Sequence, residues 1–182
     1  MKRQSLLYLL EVYRQSAPEE IQFKTDILAF INEHEDCFER TLEIGHITAS
    51  AWLLSKDHSH ALLLHHKKLN RWVQLGGHCD GDSDVVAVAL KEAQEESGIQ
   101  GIASVESNPQ IFDIDIHWIP EHKEVKGHWH YDVRFLLHVV TDEQVIQNHE
   151  SNELRWIPRK EDALPTQEPS VTRMFEKWVA RQ

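Results

Sequence analysis

Cysteine is scarce in this chain, whose 182 residues contain only Cys37 and Cys79. The two lie far apart and form no CxxC pair, so the sequence contains neither a zinc ribbon nor a disulfide framework. A single bridge between them is conceivable but disfavoured, because thiols in the cytoplasm stay reduced. The chain also has no internal repeat and no low-complexity linker. These features indicate one domain with enough residues for a sizeable core.

Basic residues and long apolar runs are few as well. Nineteen Lys and Arg face 30 Asp and Glu, for a formal net charge of -11. This argues against nucleic acid or an anionic membrane as the main partner, because neither would meet a broad basic surface. The leucine-rich start is interrupted by Glu11 and Arg14, and its leucines recur at helical spacing. We therefore expect neither a signal peptide nor a membrane span, and a cytoplasmic location.

The N-terminal segment has the pattern of two amphipathic helices. Apolar residues with a period of three or four are Leu6, Leu7, Leu10 and Tyr13. A second helix is predicted after Pro18, which suits a first helical turn, and is expected to continue towards Phe38. We predict that residues 1–44 form a helical hairpin that packs on the domain or contributes a dimer contact.

From about Gly45 the pattern changes to β-strands, and residues 45–182 are the predicted main domain. The predicted strands are residues 46–54, 60–66, 71–75, 111–118, 128–135 and 153–157. A helix is predicted over 84–97, ended by Gly98, and a closing helix over 169–179. The predicted fold class is therefore α+β, with a mixed β-sheet sandwiched between helices and an extra N-terminal helical hairpin.

Three glutamates stand out in the helix that follows Leu75-Gly76-Gly77-His78. Glu92, Glu95 and Glu96 share one helix face, where like charges repel unless a cation lies there. Hard divalent cations take oxygen ligands and often share carboxylates with substrate phosphates. This favours metal-dependent phosphate chemistry. The alternative is a solvated acidic face stabilised by surface pairs such as Lys91 with Glu95.

These residues resemble the signature of the Nudix hydrolase family. That signature is Gly, five residues, Glu, seven residues, then Arg-Glu-U-x-Glu-Glu-x-Gly-U, where U is apolar. The matching positions are Gly77, Glu92, Ala93, Glu95, Glu96, Gly98 and Ile99. Two positions depart from the pattern, since Ser83 replaces the first Glu and Lys91 replaces the Arg. Lys keeps the positive charge of Arg but lacks its planar guanidinium group, which can make two parallel hydrogen bonds. Ser83 can still cap the helix, and Asp82 or Asp84 can supply a carboxylate.

The resemblance covers residues 45–178 and implies the Nudix fold with its hydrolytic activity. The implied reaction is hydrolysis of the pyrophosphate bond of a nucleoside diphosphate linked to another moiety, by water attack on phosphorus with Mg²⁺ or Mn²⁺. The implied metal ligands are Glu92, Glu95, Glu96 and the backbone carbonyl of Gly76. One carboxylate serves as general base, and the candidates for that role are Glu95, Glu150 and Glu153.

The expected partner is a small-molecule nucleotide. Its predicted contacts are Gly77, His78, Lys91, His128, His130 and Arg134. If residues 111–118 and 128–135 pair as a hairpin, Asp115 opposes His130 and His117 opposes His128. This would form a His/Asp cluster resembling a transition-metal site, although a slip in register would change it. The alternative is a polar strand face that lines the substrate cleft or faces water.

Two other functions compete with hydrolysis. One is a Nudix domain that binds a nucleotide as a sensor, with Ser83 and Lys91 as signs of catalytic decay. The other is isopentenyl diphosphate isomerase, which has the same fold but uses a cysteine just before the histidine, where this chain has Gly77. Neither the particular nucleotide nor the oligomeric state follows from the sequence, although the extra helices are compatible with a homodimer.

Overall fold

Two helices open the chain, as their amphipathic pattern predicts. The computed structural model describes residues 2–122, 125–149, 151–160 and 162–181. Helix α1 spans Gln4–Val12, and α2 spans Glu19–Glu33. The predicted extension of α2 to Phe38 is wrong because His34 is already extended and turns follow it. The backbone carbonyl of Cys37 instead accepts a hydrogen bond from Ile47 at 2.7 Å, which ties this segment to the first strand.

Within the described residues, eight strands form one mixed sheet. They are β1 Gly45–Leu54, β2 His60–His66, β3 Arg71–Val73, β4 Leu75–His78, β5 Ile102–Ser104, β6 Ile111–Ile119, β7 His128–Val139 and β8 Ser151–Pro158. Strand β1 is central, because it pairs antiparallel with β2 and β4 and parallel with β7. Strand β7 also pairs with β5 and β6, while β2 pairs with β3 and β8.

Two further helices complete the fold. Helix α3 spans Val85–Ser97, and α4 spans Pro169–Ala180. The N-cap of α3 is Asp84, whose carboxylate accepts a hydrogen bond from the Ala87 backbone at 3.0 Å. A cap at Ser83 is therefore a wrong prediction. Gly98 ends α3 at φ 75°, a left-handed conformation that glycine adopts without steric cost.

The sheet separates two apolar clusters. Side chains of α1, α2 and α3 share one cluster with residues such as Ala49 and Val133, whereas α4 forms the other around Trp52 and Trp178. Alternating residues of β1 enter opposite clusters, as the period of a strand requires. The prediction of a mixed sheet between helices is thus confirmed. None of the helices described is both long and apolar enough to cross a membrane.

The hairpin of β6 and β7 forms with a register different from the predicted one. Asp115 pairs with Asp132 and His117 pairs with His130. The reason is that pairing continues beyond the predicted strand end, through Ile119 to an isolated bridge between His122 and Val125. The offset is two residues, so the polar side chains stay on one face although their partners change.

Candidate active site

The junction of β4 and α3 brings a glycine backbone against a glutamate. The amide of Gly76 donates a hydrogen bond to Glu96 Oε2 at 2.8 Å, and Glu96 is buried. A Cβ on Gly76 would lie 2.7 Å from the Cα of Ser50 in β1, and its φ is 154°. Glycine is therefore needed for β4 to lie this close to β1. Glu96 is held at a fixed place beside the strand.

Glu92 lies against the next residue of β4. A Cβ on Gly77 would overlap the Glu92 carboxylate, so the absent side chain leaves the space that this carboxylate occupies. Burial raises the pKa of Glu92, and the neighbouring charge of Lys91 opposes that increase. Glu92 and Glu96, one helical turn apart, therefore approach two successive residues of β4.

The other two charged signature residues of α3, Lys91 and Glu95, face solvent. Glu95 has a side chain that is 58% exposed. Lys91 Nζ lies 3.5 Å from a Glu92 oxygen and 3.7 Å from a Glu95 oxygen. Such exposed ion pairs contribute less than about 1 kcal/mol to stability. Lys91 thus supplies charge beside Glu92, in single contacts rather than the two parallel hydrogen bonds that a guanidinium can make.

Arg40 is a cation near this site that sequence analysis missed. Its guanidinium pairs with both carboxylate oxygens of Asp80. The hydrogen bonds to Asp80 raise the pKa of Arg40, and the charge of Glu92 acts in the same direction. The backbone amide of Gly81, in the loop before α3, donates a hydrogen bond to the Phe38 carbonyl at 2.9 Å. This bond joins that loop to the segment that contains Arg40. Arg40 lies outside the signature, and no sequence pattern connects it with the glutamates.

The glutamate site has the chemistry of a hard divalent cation site. Its donors are carboxylate oxygens, the ligand type that Mg²⁺ and Mn²⁺ prefer. Glu92 is partly desolvated and lies in the space left by the missing side chain of Gly77. These residues therefore fit the metal implied by the sequence, with Glu92 and Glu96 closest to the glycine backbone.

The two later candidates for general base are Glu150 and Glu153. Glu150 falls outside the residues that the structure describes. Glu153 is on β8, which pairs with β2, and its carboxylate accepts a hydrogen bond from Arg155 at 2.8 Å. A base role for either residue therefore stays a prediction.

A sequence model described as the NUDIX domain matches residues 45–178. The chain belongs to the Nudix family. This confirms the predicted family, the Nudix fold and the expectation that the protein is a hydrolase. No curated protein sequence matches the chain.

Solved structures with the same fold include several hydrolases. C. elegans Ap4A hydrolase, in a binary complex, is 17% identical with a TM-score of 0.56 over 74% of this chain and 95% of that one. The MutT protein of Methanosarcina mazei Go1 is 20% identical with a TM-score of 0.55, and the match covers 75% of this chain and 94% of that one. E. coli dihydroneopterin triphosphate pyrophosphohydrolase is 16% identical with a TM-score of 0.55, and the match covers 73% of this chain and 94% of that one. At these identities the likeness concerns the fold.

Three of the predicted substrate contacts meet in a histidine cluster of this Nudix domain. His78, His128 and His130 lie together with His46, and one ring nitrogen of each falls within 4.8 Å of the others. Among the residues that the structure describes, no other group of three or more His, Cys, Asp or Glu brings its ligand atoms this close together. The sequence suggested a cluster with Asp115 and His117, but His46 was missed because β1 comes beside β7 only in the folded sheet. In the parallel pairing of β1 with β7, His46 lies beside His130.

The environment of the histidine cluster disfavours positive charge. His46 is 3% exposed, and burial, together with His78 and His128, lowers its pKa to about 4. Burial also lowers the pKa of His78 and of His130. The rings of His46, His78 and His130 are therefore neutral near pH 7, the form in which imidazole can bind a metal ion.

Arg134, the last predicted substrate contact, is buried in an ion-pair network. Its guanidinium contacts Asp113 at 2.9 Å, Asp132 at 2.7 Å and Asp115 at 3.3 Å. Arg173 of α4 hydrogen-bonds Asp113 and Asp115 from the other side. With a side chain that is 1% exposed, Arg134 holds these carboxylates in place, and direct contact with a substrate has no support from this arrangement.

The two cysteines are free and buried. Burial raises the pKa of Cys37 to about 11, and it also raises the pKa of Cys79. A buried thiol with a raised pKa is a poor nucleophile because little thiolate is present. Cys79 therefore lacks the activation that an isomerase-like cysteine requires.

Proposed function

We propose that this Nudix protein hydrolyses the pyrophosphate bond of a nucleoside diphosphate linked to another moiety, with Mg²⁺ or Mn²⁺ as cofactor. One observation carries the proposal, namely that Glu92 and Glu96 of α3 meet the Gly76-Gly77 backbone of β4. Two carboxylates held beside a strand that has no side chains at this point leave an approach for a phosphate with its cation.

Each residue of this junction has a proposed role. Glu92, Glu96 and the Gly76 carbonyl would hold the metal ion, with Glu95 as a further ligand. When bound, the ion would neutralise phosphate charge and polarise a phosphoryl oxygen. Gly77 leaves the space that the Glu92 carboxylate occupies. Lys91 balances carboxylate charge through its contacts with Glu92 and Glu95.

We propose Glu95 as the first candidate for general base. It is adjacent to Glu96 in sequence, and its solvent-exposed carboxylate can accept a proton from a water molecule. Glu150 and Glu153 are the alternatives. Replacement of each by glutamine, with kcat measured at saturating metal, distinguishes the three. Loss of the base lowers kcat even at saturating metal, whereas loss of a ligand mainly weakens metal binding.

The runner-up function is nucleotide sensing by a catalytically weakened site. The contacts of Lys91 favour it to a degree, because they lack the bidentate geometry of an arginine. Hydrolysis ranks first because Glu92, Glu95 and Glu96 are all present. Fold neighbours named for Ap4A and for dihydroneopterin triphosphate support a substrate with linked phosphates. A cytoplasmic location and a homodimer stay predictions.

The deciding experiment is hydrolysis of a nucleotide panel by the wild type and by Glu96→Gln, with Mg²⁺ or Mn²⁺. The panel contains ADP-ribose, nucleotide sugars, dinucleoside polyphosphates, nucleoside triphosphates and coenzyme A. Glutamine can still accept the Gly76 hydrogen bond, so the fold should persist. We expect kcat/KM to fall by at least about 100-fold, because a metal-ligand charge is lost.

Glu43→Gln is the matched control. Glu43 is exposed and pairs with Lys126, so its loss should leave turnover unchanged. Equal activity of the wild type and Glu96→Gln would contradict the proposed site. Nucleotide binding without turnover by the wild type would favour the sensor.

A further inference from the structure

The histidine cluster is built from three neighbouring strands. His78 comes from β4, His46 from β1, and His128 and His130 from β7. Five of the six ring pairs have centroid separations of 4.8–5.0 Å. One ligand nitrogen of each ring lies within 4.8 Å of the other three, so the four rings surround a space that one ion could share.

His46 is a buried member of this cluster without a hydrogen-bond partner. Neither Nδ1 nor Nε2 of its ring has one. The backbone of Leu42 lies near the ring and acts to raise its pKa, but this contact does not have the geometry of a hydrogen bond. Buried polar groups nearly always have partners, so an unpartnered imidazole among three others calls for a ligand.

The orientation of His128 favours the same ligand. Its Nδ1 lies 2.8 Å from the Lys126 carbonyl, and a carbonyl only accepts, so Nδ1 carries the proton. The lone pair is then on Nε2, which lies 3.2 Å from Nε2 of His130. Two imidazole nitrogens on one tetrahedral Zn²⁺, each at about 2.0–2.1 Å from the ion, lie about 3.3 Å apart. The observed separation matches that value.

We propose that His46, His78, His128 and His130 bind one divalent transition-metal ion with tetrahedral preference, such as Zn²⁺ or Co²⁺. Four imidazoles without a carboxylate suit such ions, whereas Mg²⁺ and Ca²⁺ prefer oxygen ligands. The Lys126 carbonyl orients His128 in the way that backbone carbonyls orient metal-bound histidines.

This site is distinct from the glutamate site although the two adjoin. Successive residues of a strand point to opposite faces of the sheet. Gly77 faces Glu92 of α3, and the next residue, His78, faces His46 and His130 on the other side. Four protein ligands complete a tetrahedral shell and leave no open position for substrate. The ion would therefore stabilise the junction of β4, β1 and β7 rather than carry out chemistry.

The test is titration of metal-free, full-length protein with Co²⁺, followed by visible absorption. Tetrahedral coordination by nitrogen gives intense visible bands, whereas six oxygen ligands give weak ones. We expect saturation at one equivalent per chain and an increase in Tm with Zn²⁺, because the folded state alone presents the site. His46→Gln and His78→Gln should each bind at least about 100-fold more weakly.

Two controls separate this site from others. His138→Gln removes a member of the His58–His138 pair outside the cluster and should retain the full Co²⁺ spectrum. Glu96→Gln should also retain it, so failure of the proposed hydrolytic site leaves this result intact. Absence of the tetrahedral spectrum in the wild type, or its persistence in both His46→Gln and His78→Gln, would overturn the proposal. The partly exposed His78 provides a variant that folds even if replacement of buried His46 prevents folding.

Discussion

Glu92 lies so close to Gly77 that a single methyl group there would displace its carboxylate. Gly77 has no positive φ, so its backbone conformation is open to any residue. The glutamate side chain is flexible at its end, and the fold can accommodate the displacement. The absence of a side chain at this residue therefore matters for the position of a carboxylate more than for the backbone.

Gly77→Ala tests this arrangement. We expect kcat to fall by about 100-fold, because a shift of about 1 Å in a reacting group has that effect. The Tm should change little. Steady-state kinetics and thermal unfolding measure the two. Gly101→Ala is the matched control, since the atoms nearest its Cβ would belong to the exposed Thr141 side chain and would have to move in the same way. Unchanged kinetics of Gly77→Ala would show that Glu92 is not needed at this place.

The raised pKa of Glu92 predicts a pH dependence of stability. The folded state binds a proton on Glu92 at pH values where the unfolded chain has lost it, so this group destabilises the fold increasingly as pH rises above the ordinary value of 4.5. Glu92→Gln should therefore be more stable than the wild type near pH 7. The difference should vanish below that ordinary value. Urea unfolding of both proteins across this pH range measures it, and a constant difference would refute the prediction.

At the scale of elements, buried charges join β6, β7 and α4. Asp113 accepts hydrogen bonds from Arg134 of β7 and from Arg173 and Lys177 of α4. Burial alone would raise the pKa of Asp113, but these partners outweigh it and hold the pKa below its usual range. Lys177 also pairs with Glu20 of α2. The network thus connects three parts of the fold that are distant in sequence.

Arg134→Met should destabilise the protein by about 3–5 kcal/mol, because it leaves buried carboxylates without their cation. Lys126→Met, at the exposed pair with Glu43, should change stability by less than about 1 kcal/mol. Chemical denaturation of both variants provides the comparison. Similar effects at the two places would mean that water reaches Arg134.

At the scale of the whole molecule, the N-terminal hairpin shares the main apolar cluster. Leu6 and Ile27 are fully buried there, and Phe30 stacks on Tyr131 of β7 with ring centroids 4.0 Å apart. A segment that contributes to the core unfolds with it. We therefore expect the hairpin and the rest of the chain to unfold in one transition.

Phe30→Ala should lower the free energy of unfolding by about 3–5 kcal/mol, the usual effect of emptying a buried aromatic position. Tyr8→Ala is the control because Tyr8 is 57% exposed on α1. The measurement is unfolding followed both by far-UV circular dichroism and by tryptophan fluorescence. If the hairpin is independent, the two probes will separate and Phe30→Ala will leave the fluorescence transition in place.

The local secondary structure could be predicted from the sequence. Helix α3 follows from its capping residues and Gly98. The signature that contains Glu92, Glu95 and Glu96 resembles that of the family, and it predicts the glutamate site. These inferences succeed because a helix brings residues three and four apart together without help from the rest of the chain. The strands β1 and β2 were equally visible in their composition.

The long-range arrangements were decided only by the tertiary structure. His46 joins His130 because β1 lies parallel to β7, and Arg40 reaches Asp80 because two loops meet. The register of β6 and β7 depended on where their hairpin turns, which no single strand pattern specifies. Contacts between residues far apart in sequence depend on sheet order and loop closure. The sequence by itself therefore determined the family and predicted the glutamate site, whereas the folded sheet determined the four-histidine cluster.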